Sequence, residues 1–270
     1  MKPSSLGDRM KCYENVSDFY LPKKLPVIIR CDGRSFHSVT KKLPKPCFAF
    51  LNIMAEAMRS VAENIDGCVF GYTQSDEMTF VLKNDQSLES QPWFNNRIFK
   101  IISIAAAEAT YWFNYHWSNR KDLLETELPK AVFDARVFVV PSESEMLNAL
   151  LFRQQDCMKN AVSLAADAEL RKKLGKKTAL KLLHGKGRTE RLQLLHEKCG
   201  IDFFTEYPLS FQRGVVAYKV TYEKDGAVRT KMQLDYEPPN FHEKPELILD
   251  AYACTAREEA KKSKEERNGK

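Results

Sequence analysis

Two short acidic motifs hold the residue types best suited to chemistry. One is Cys31-Asp32-Gly33-Arg34-Ser35-Phe36-His37, directly after the apolar run Val27-Ile28-Ile29. The other is Tyr72-Thr73-Gln74-Ser75-Asp76-Glu77, directly before Met78-Thr79-Phe80-Val81-Leu82. Carboxylates at strand ends and tight turns contribute little to a fold, and two of them about 4 Å apart repel by roughly 4 kcal/mol at an effective dielectric near 20. A divalent cation removes that penalty, and Mg²⁺ typically takes one or two carboxylates together with phosphate oxygens. If Asp32 and Asp76 meet, they predict a two-Mg²⁺ centre for phosphoryl or nucleotidyl transfer.

Each motif supplies further candidates. Asp32 and the Gly33 carbonyl would hold metal, with Asp76 as the second acidic ligand. Gly33 lets backbone approach an anion closely, and the amides of the Gly33, Arg34, Ser35, Phe36 and His37 run could form a nest around a triphosphate. The Ser75 hydroxyl could bond a phosphate. Glu77 should point to the opposite face of its strand. It reads more readily as an ion-pair partner than as a ligand, and stays among the catalytic candidates with Asp32 and Asp76.

The elements that must position these residues follow from periodicity. Val27 to Asp32 is a short buried strand. Leu51, Met54, Ala55, Met58, Val61 and Ala62 recur at helical spacing within Phe48 to Ile65. Cys68 to Tyr72 and Met78 to Leu82 read as a hairpin turning at 73–75. A second helix is expected from about Trp93 to Trp112, and a fourth strand from Val132 to Val140. The order β-α-β-β-α-β is that of the ferredoxin-like split unit, an α+β palm with helices on one face of an antiparallel sheet. In that unit strands one and three are central neighbours, which brings Asp32 and Asp76 to one edge.

Ser142 and Glu145 form a capping-box signature opening a long helix to about Asp167. A helix around Thr189 to Cys199 and a hairpin, Arg213 to Tyr222 with Ala227 to Leu234, complete a C-terminal helical and β-hairpin extension. The expected organisation is a catalytic palm at 1–140, an RNA-binding and palm-supporting region at 141–255, and a charged tail at 256–270.

The chain has 270 residues, 43% of them hydrophobic, and a net charge of +6. It is globular, shows no apolar run of membrane-spanning length, and lacks an apolar signal core in Met1 to Met10. Its seven cysteines are odd in number and scattered, which suits reduced thiols in a cytoplasmic compartment. The five histidines lack zinc-site spacing. Between Leu170 and Arg191 nine Lys or Arg residues face one acid, Glu190. That block, with Lys172, Lys173, Lys176, Lys177, Arg188 and Arg191, points to a polyanion such as nucleic acid.

Other cations are less specific by position alone. Arg97 and Lys100 share a helix face, and Lys45 lies between prolines. Arg136 interrupts an apolar strand and needs a partner there. Arg153, Asp156 and Asn160 fall on one stripe of the long helix, either facing the site or solvated.

Taken in order, Asp32 to His37, Tyr72 to Glu77, Phe133-Asp134-Ala135-Arg136-Val137, Arg153-Gln154-Gln155-Asp156-Cys157 and Gln212-Arg213-Gly214 resemble the successive motifs of the tRNA-histidine guanylyltransferase family. The resemblance spans roughly residues 6 to 220. It implies a palm shared in outline with polymerases and nucleotidyl cyclases, with Asp32, the Gly33 carbonyl and Asp76 binding two Mg²⁺. It implies ATP and GTP as substrates, nucleotides added to the 5′ end of tRNA in the 3′-to-5′ direction, and a homotetramer built as a dimer of dimers. Residues 32 to 37 with Ser75 would cradle the nucleotide, and Lys45, Arg97, Lys100 and Arg136 match phosphate-contacting positions. Asn160 would join the nucleotide site, and Arg153 and Arg213 the RNA contacts. One departure stands out. Eukaryotic members carry His-Ile-Asn-Asn after the Asp-Cys pair, where this chain has Met158-Lys159-Asn160-Ala161. That favours template-dependent repair of 5′-truncated tRNA over untemplated guanosine addition. A nucleotidyl cyclase and a non-catalytic RNA-binding module are the competing classes.

Overall fold

A computed structural model describes residues 5–87, 89–120 and 130–253, and the backbone alone of 257–258. The charged tail expected at 256–270 otherwise lies outside the described residues. The palm elements form in the expected order. Helix α1 spans Leu6–Asn15, strand β1 Val27–Gly33, a short helix α2 Phe36–Val39 and helix α3 Phe48–Asn64. Strands β2 (Cys68–Gln74) and β3 (Glu77–Leu82) form a tight hairpin, followed by α4 (Ile98–Ser118) and β4 (Phe133–Val139). Beyond them come the long helix α5 (Glu143–Leu174), α6 (Lys176–Leu183), α7 (Arg188–Leu194), α8 (Phe203–Glu206), α9 (Leu209–Arg213), β5 (Val215–Lys224), β6 (Ala227–Asp235), α10 (Glu246–Tyr252) and the two-residue β7 (Arg257–Glu258).

The sheet runs β4-β1-β3-β2-β5-β6, with β7 beside β5. Every pairing along that order is antiparallel. The palm is therefore as expected, with β1 and β3 as central neighbours. The C-terminal hairpin differs in one respect: through β2 and β5 it continues the same sheet instead of forming a separate extension.

Helices cover both faces, not one. Helices α3 and α4 bury Met54, Met58, Val61, Ala105, Ala109 and Phe113 on the face carrying Val27, Ile29 and Cys31. On the other face Met146 and Leu150 of α5 and Ile248 of α10 pack on Phe70, Tyr72 and Val81. The strand residues alternate between two apolar layers, so β2 and β3 are buried throughout. The outer half of α5 leaves the sheet and builds a third core from Val162, Ala166 and Leu170 with Leu183, Leu195 and Phe203.

Three element ends differ from the pattern, one of them the end of the second helix, which runs to Ser118 and not Trp112. The second helix begins only at Ile98, because Phe94, Asn95 and Asn96 all adopt left-handed backbone angles. Helix α5 runs past Asp167 to Leu174, since an alanine-rich stripe keeps packing and only Gly175 ends it. Ser142 does cap it, accepting from the Glu145 amide at 3.3 Å.

Gly214 joins α9 to β5 at the site edge. Its φ is +82°, and a Cβ there would lie 2.6 Å from the Thr73 carbonyl oxygen. Gly226 has a similar φ of +74° in the open β5–β6 turn. Gly226→Ala is expected to lose only the left-handed penalty, about 1–2 kcal/mol. Gly214→Ala should lose clearly more, by about 1–3 kcal/mol, because backbone must move as well. Urea denaturation of both variants checks this, and equal losses would contradict it.

Candidate active site

Strand pairing brings the two acidic motifs together. Across β1 and β3, Asp32 faces Glu77, and across β1 and β4 it faces Asp134. One residue further, the Gly33 amide donates to the Asp76 carbonyl oxygen at 3.0 Å. The Asp32 and Asp76 side chains thus flank a single stitch of backbone at the end of the central strand pair. Ser75, with φ of 50°, makes the turn between β2 and β3.

The loop after Asp32 is held from beneath. Phe36 is only 4% exposed. Its ring lies 5.1 Å from that of Phe113 and 4.9 Å from that of Phe133. Burying such a ring stabilises by about 1.5–3 kcal/mol. Gly33 is required here, because a Cβ would fall 2.2 Å from the Phe36 ring. The expected amide nest is narrower than the motif suggests. The Gly33 amide serves Asp76, and the Arg34 amide donates to Val132 at 2.8 Å. The open amides lie further on, at the start of α2, where helix geometry leaves them unpaired. Ser75 is also committed, its hydroxyl donating to Asp76 Oδ1 at 2.8 Å.

Burial pushes the Asp76 carboxyl above the ordinary aspartate range. The neighbouring Asp32 charge adds to that, while hydrogen bonds from Ser75 and from its own amide partly oppose it. Among the described residues no cation lies within 4 Å of Asp32 or Asp76, and no cluster of three or more His, Cys, Asp or Glu offers a metal cage. Two carboxylates beside a backbone carbonyl are instead the hard, sparse oxygen set that suits Mg²⁺ sharing phosphate oxygens. The residues present therefore fit that ion.

Glu77 has a different setting. It is buried between Arg153, whose Nε is 3.2 Å from Oε1, and Arg30, whose Nε is 3.7 Å from Oε2. Burial raises its carboxyl, and the two arginines oppose the shift. Arg153 also holds Asp156 at 2.8 Å. The ion-pair expectation for Glu77 matches this geometry. Arg153, whose side chain is 12% exposed, is drawn into this cluster and away from the open surface expected of an RNA contact.

A cavity of about 390 Å³ opens beside the Asp76 turn. His37, Lys45, Ser75, Asp76 and Asn160 line it with apolar Leu43, Phe50, Met54 and Phe211. A largely apolar slot with polar groups in its lining suits a planar base, and Asp76 is one of those groups. Phe36 forms part of the wall.

Other expected residues go elsewhere. Phe133 donates to Thr110 Oγ1 at 3.0 Å and Asn114 bonds Ala131, so the second half of α4 lies at the acid end. Arg97 and Lys100, at the start of α4, therefore point to the opposite end. Arg97 pairs with Asp18, and Lys100 sits 5.4 Å from the Phe94 ring. Helical spacing had fixed their common face but not the end of the sheet it reaches. Arg136 is not buried, because β4 is an edge strand. Its side chain is 53% exposed and lies 3.6 Å from Asp134. Arg191 donates to the carbonyls of Lys186 and Leu183, and Arg213 to that of Pro238, so both serve the fold. Lys172, Lys173, Lys176, Lys177 and Arg188 are exposed along α5, α6 and α7.

Two residues were missed. Arg30 faces Arg136 across β1 and β4, giving a paired basic rung beside Asp32. The signal was available as a charge within the Val27-to-Cys31 run. Gln74 is a buried amide lining the cavity, and only the folded pocket reveals it.

Comparison with known proteins converges on one group. A family model described as Thg1, tRNAHis guanylyltransferase, matches residues 7–141. The tRNA(His) guanylyltransferase of Schizosaccharomyces pombe is 30% identical over 212 residues, covering 77% of each chain. A bacterial tRNA(His) guanylyltransferase (Thg1)-like protein, solved in complex with ATP, aligns with a TM-score of 0.78 and 32% identity, over 92% of this chain and 99% of that one. A bacterial Thg1-like protein in complex with GTP aligns with a TM-score of 0.72 and 30% identity, with the same coverage.

The raised Asp76 carboxyl has a stability consequence. The folded, metal-free protein holds that proton more tightly than the unfolded chain, so it loses stability as pH rises through the shifted value. Asp76→Asn is expected to melt higher than the native protein at pH 7 in EDTA, with the gap closing below about pH 3.9. Added Mg²⁺ should raise the melting temperature of the native protein and not of the variant. A variant that melts lower at pH 7 would show that the carboxylate carries no such strain.

Proposed function

Since this chain belongs to the tRNA-histidine guanylyltransferase family and is a nucleotidyltransferase, we propose that it adds nucleotides to the 5′ end of tRNA in the 3′-to-5′ direction, and that its main work is template-dependent repair. The observation carrying this reading is the backbone stitch that sets the Asp32 strand end beside Asp76, which itself lines a base-sized cavity. The relatives solved with ATP and with GTP support the same two substrates here.

Asp32, Asp76 and the Gly33 carbonyl are the groups that would hold Mg²⁺. Bound there, it supplies Lewis-acid stabilisation of phosphate charge and a more acidic attacking hydroxyl. The chain's own residues do the rest. The cavity seats the base, Lys45 at its rim attracts phosphate, and Arg30 with Arg136 offers positive charge along the neighbouring rung. Glu77 works from behind, holding Arg153 and Arg30 in place. In the first step an oxygen of the RNA 5′-monophosphate attacks the α-phosphorus of ATP and pyrophosphate leaves. In the second, the 3′-hydroxyl of the incoming nucleotide attacks the activated 5′ phosphorus and AMP leaves. A 5′-triphosphate end needs only the second step, with pyrophosphate as leaving group.

We assign catalysis to residues 1–140 and RNA binding to 141–255, where the exposed lysines of α5 and α6 form the basic face. Lack of the His-Ile-Asn-Asn run favours repair over untemplated guanosine addition. A homotetramer fits α1, which buries none of its residues within the single chain. A cytoplasmic setting fits the six described cysteines, all unpaired. Among the described residues no helix is long and apolar enough to cross a membrane.

The reading is tested with labelled nucleoside triphosphates and Mg²⁺, with and without tRNA lacking its first nucleotide. Incorporation that depends on RNA is expected, and a cyclic product without RNA would favour a cyclase instead. Asp76→Ala should abolish incorporation and leave tRNA affinity within about threefold; an active variant would overturn the metal assignment. Replacing Lys172, Lys173, Lys176 and Lys177 by Gln should weaken tRNA binding and flatten its salt dependence, by up to about 0.9 in log–log slope per lost duplex contact. An unchanged slope would place the RNA on another face.

A further inference from the structure

The β2–β3 turn presents a run of polar side chains at the cavity, and its members differ in one respect. Thr73 Oγ1 donates to the Glu77 carbonyl at 2.8 Å, and Ser75 donates to Asp76. Across the cavity, Thr40 Oγ1 donates to the Phe36 carbonyl at 3.0 Å and Asn160 Nδ2 to Asp156 at 3.4 Å. Gln74 lies among them, 7% exposed, and its Oε1 is buried without a hydrogen-bond partner. Buried polar groups are almost always paired. Gln74 lines the cavity, so a turn of its unpaired carboxamide would bring it against a ligand seated there.

We infer that Gln74 is a specificity-determining residue that reads the hydrogen-bonding edge of a purine base seated in this cavity. The inference rests on the nucleotide reading of the cavity given above. A carboxamide offers an acceptor oxygen and two N–H donors, and turning its terminal torsion exchanges their positions. Guanine presents N1–H and 2-amino donors beside an O6 acceptor. Adenine presents a 6-amino donor beside an N1 acceptor. One carboxamide can complement either base by presenting its two ends in opposite order, whereas a carboxylate or an ammonium would favour one pattern. A single cavity can then admit both purines that the reaction consumes. The apolar walls bind the base faces without distinguishing them, and among the polar groups of the lining Gln74 is the buried amide with an unpaired oxygen to offer the edge.

The experiment compares equilibrium affinities of the full chain for GTP, ITP, ATP and purine riboside triphosphate. ITP lacks the 2-amino group, and purine riboside triphosphate lacks every exocyclic group. The native protein is expected to bind GTP and ATP about tenfold or more tighter than purine riboside triphosphate, as a site built around base hydrogen bonds should. In Gln74→Leu that preference should shrink to about twofold, with purine riboside triphosphate itself bound within about threefold of native, a sign that the cavity is intact. Gln74→Met, unbranched and of similar length, gives the same readout if the branched side chain is not accommodated. A tenfold preference that survives in both variants overturns the inference and leaves the nucleotide reading standing. A native protein that binds none of the four overturns the nucleotide reading itself.

Discussion

When β1 pairs with β3, Asp32 meets Glu77 across one rung, and the next amide, that of Gly33, reaches the Asp76 carbonyl. The antiparallel register makes this juxtaposition unavoidable once the two strands are neighbours. Around it the surrounding structure is arranged to tolerate acids that repel. Phe36 pins the loop beyond Gly33 into an aromatic cluster, and the missing Cβ at Gly33 is what lets the ring come so close. The Arg34 amide ties the same loop to Val132 before β4. A shift of one residue in the β1–β3 register would turn Asp32 to the other face of the sheet and undo the site.

Charge is divided unevenly across this stitch. On the α5 side Glu77 is neutralised by Arg30 and Arg153, and Asp156 closes the cluster. A buried pair of this kind adds little net stability, but removing one partner would strand the other at a cost of about 3–5 kcal/mol. On the turn side burial raises the Asp76 carboxyl and the Asp32 charge adds to it, with only Ser75 and its own amide opposing. Glu77 has two arginines beside it, whereas Asp76 has no cation of the chain within 4 Å among the described residues, which leaves room there for a cation and a triphosphate. Helix α5 links the two: Arg153 reaches back to β3, and Asn160 two turns on lines the cavity. Its outer half then carries the basic face away from the sheet.

Much of the palm was legible in the chain. Alternation in Val27 to Asp32, helical spacing in Leu51 to Ala62 and the hairpin around Ser75 are local patterns, and each element formed close to its expected bounds. The order of those elements restricts their pairing so strongly that the meeting of Asp32 with Asp76 followed from topology. The side of Glu77 was legible too, because a strand alternates its faces. The left-handed turn at Phe94 to Asn96 was not, since none of its residues is glycine and the turn is held by distant contacts such as Asn96 to Pro22.

Local geometry, the identity of the acids and the charge of the basic block can be read along the chain, because they depend on residues close together in it. Which cations reach the site is set by packing between distant elements. Arg97 and Lys100 sit at the far end of α4, and Arg153, Arg191 and Arg213 are spent on internal carboxylates and carbonyls. Arg30, beside Glu77, shares the rung next to Asp32 with Arg136 through a cross-strand pairing more than a hundred residues apart. Gln74, with its unpaired amide oxygen, lines a cavity closed by α2, α3, α5 and α9 together. A side chain's partners are chosen by packing between elements remote in sequence, and periodicity within one element carries no record of that choice.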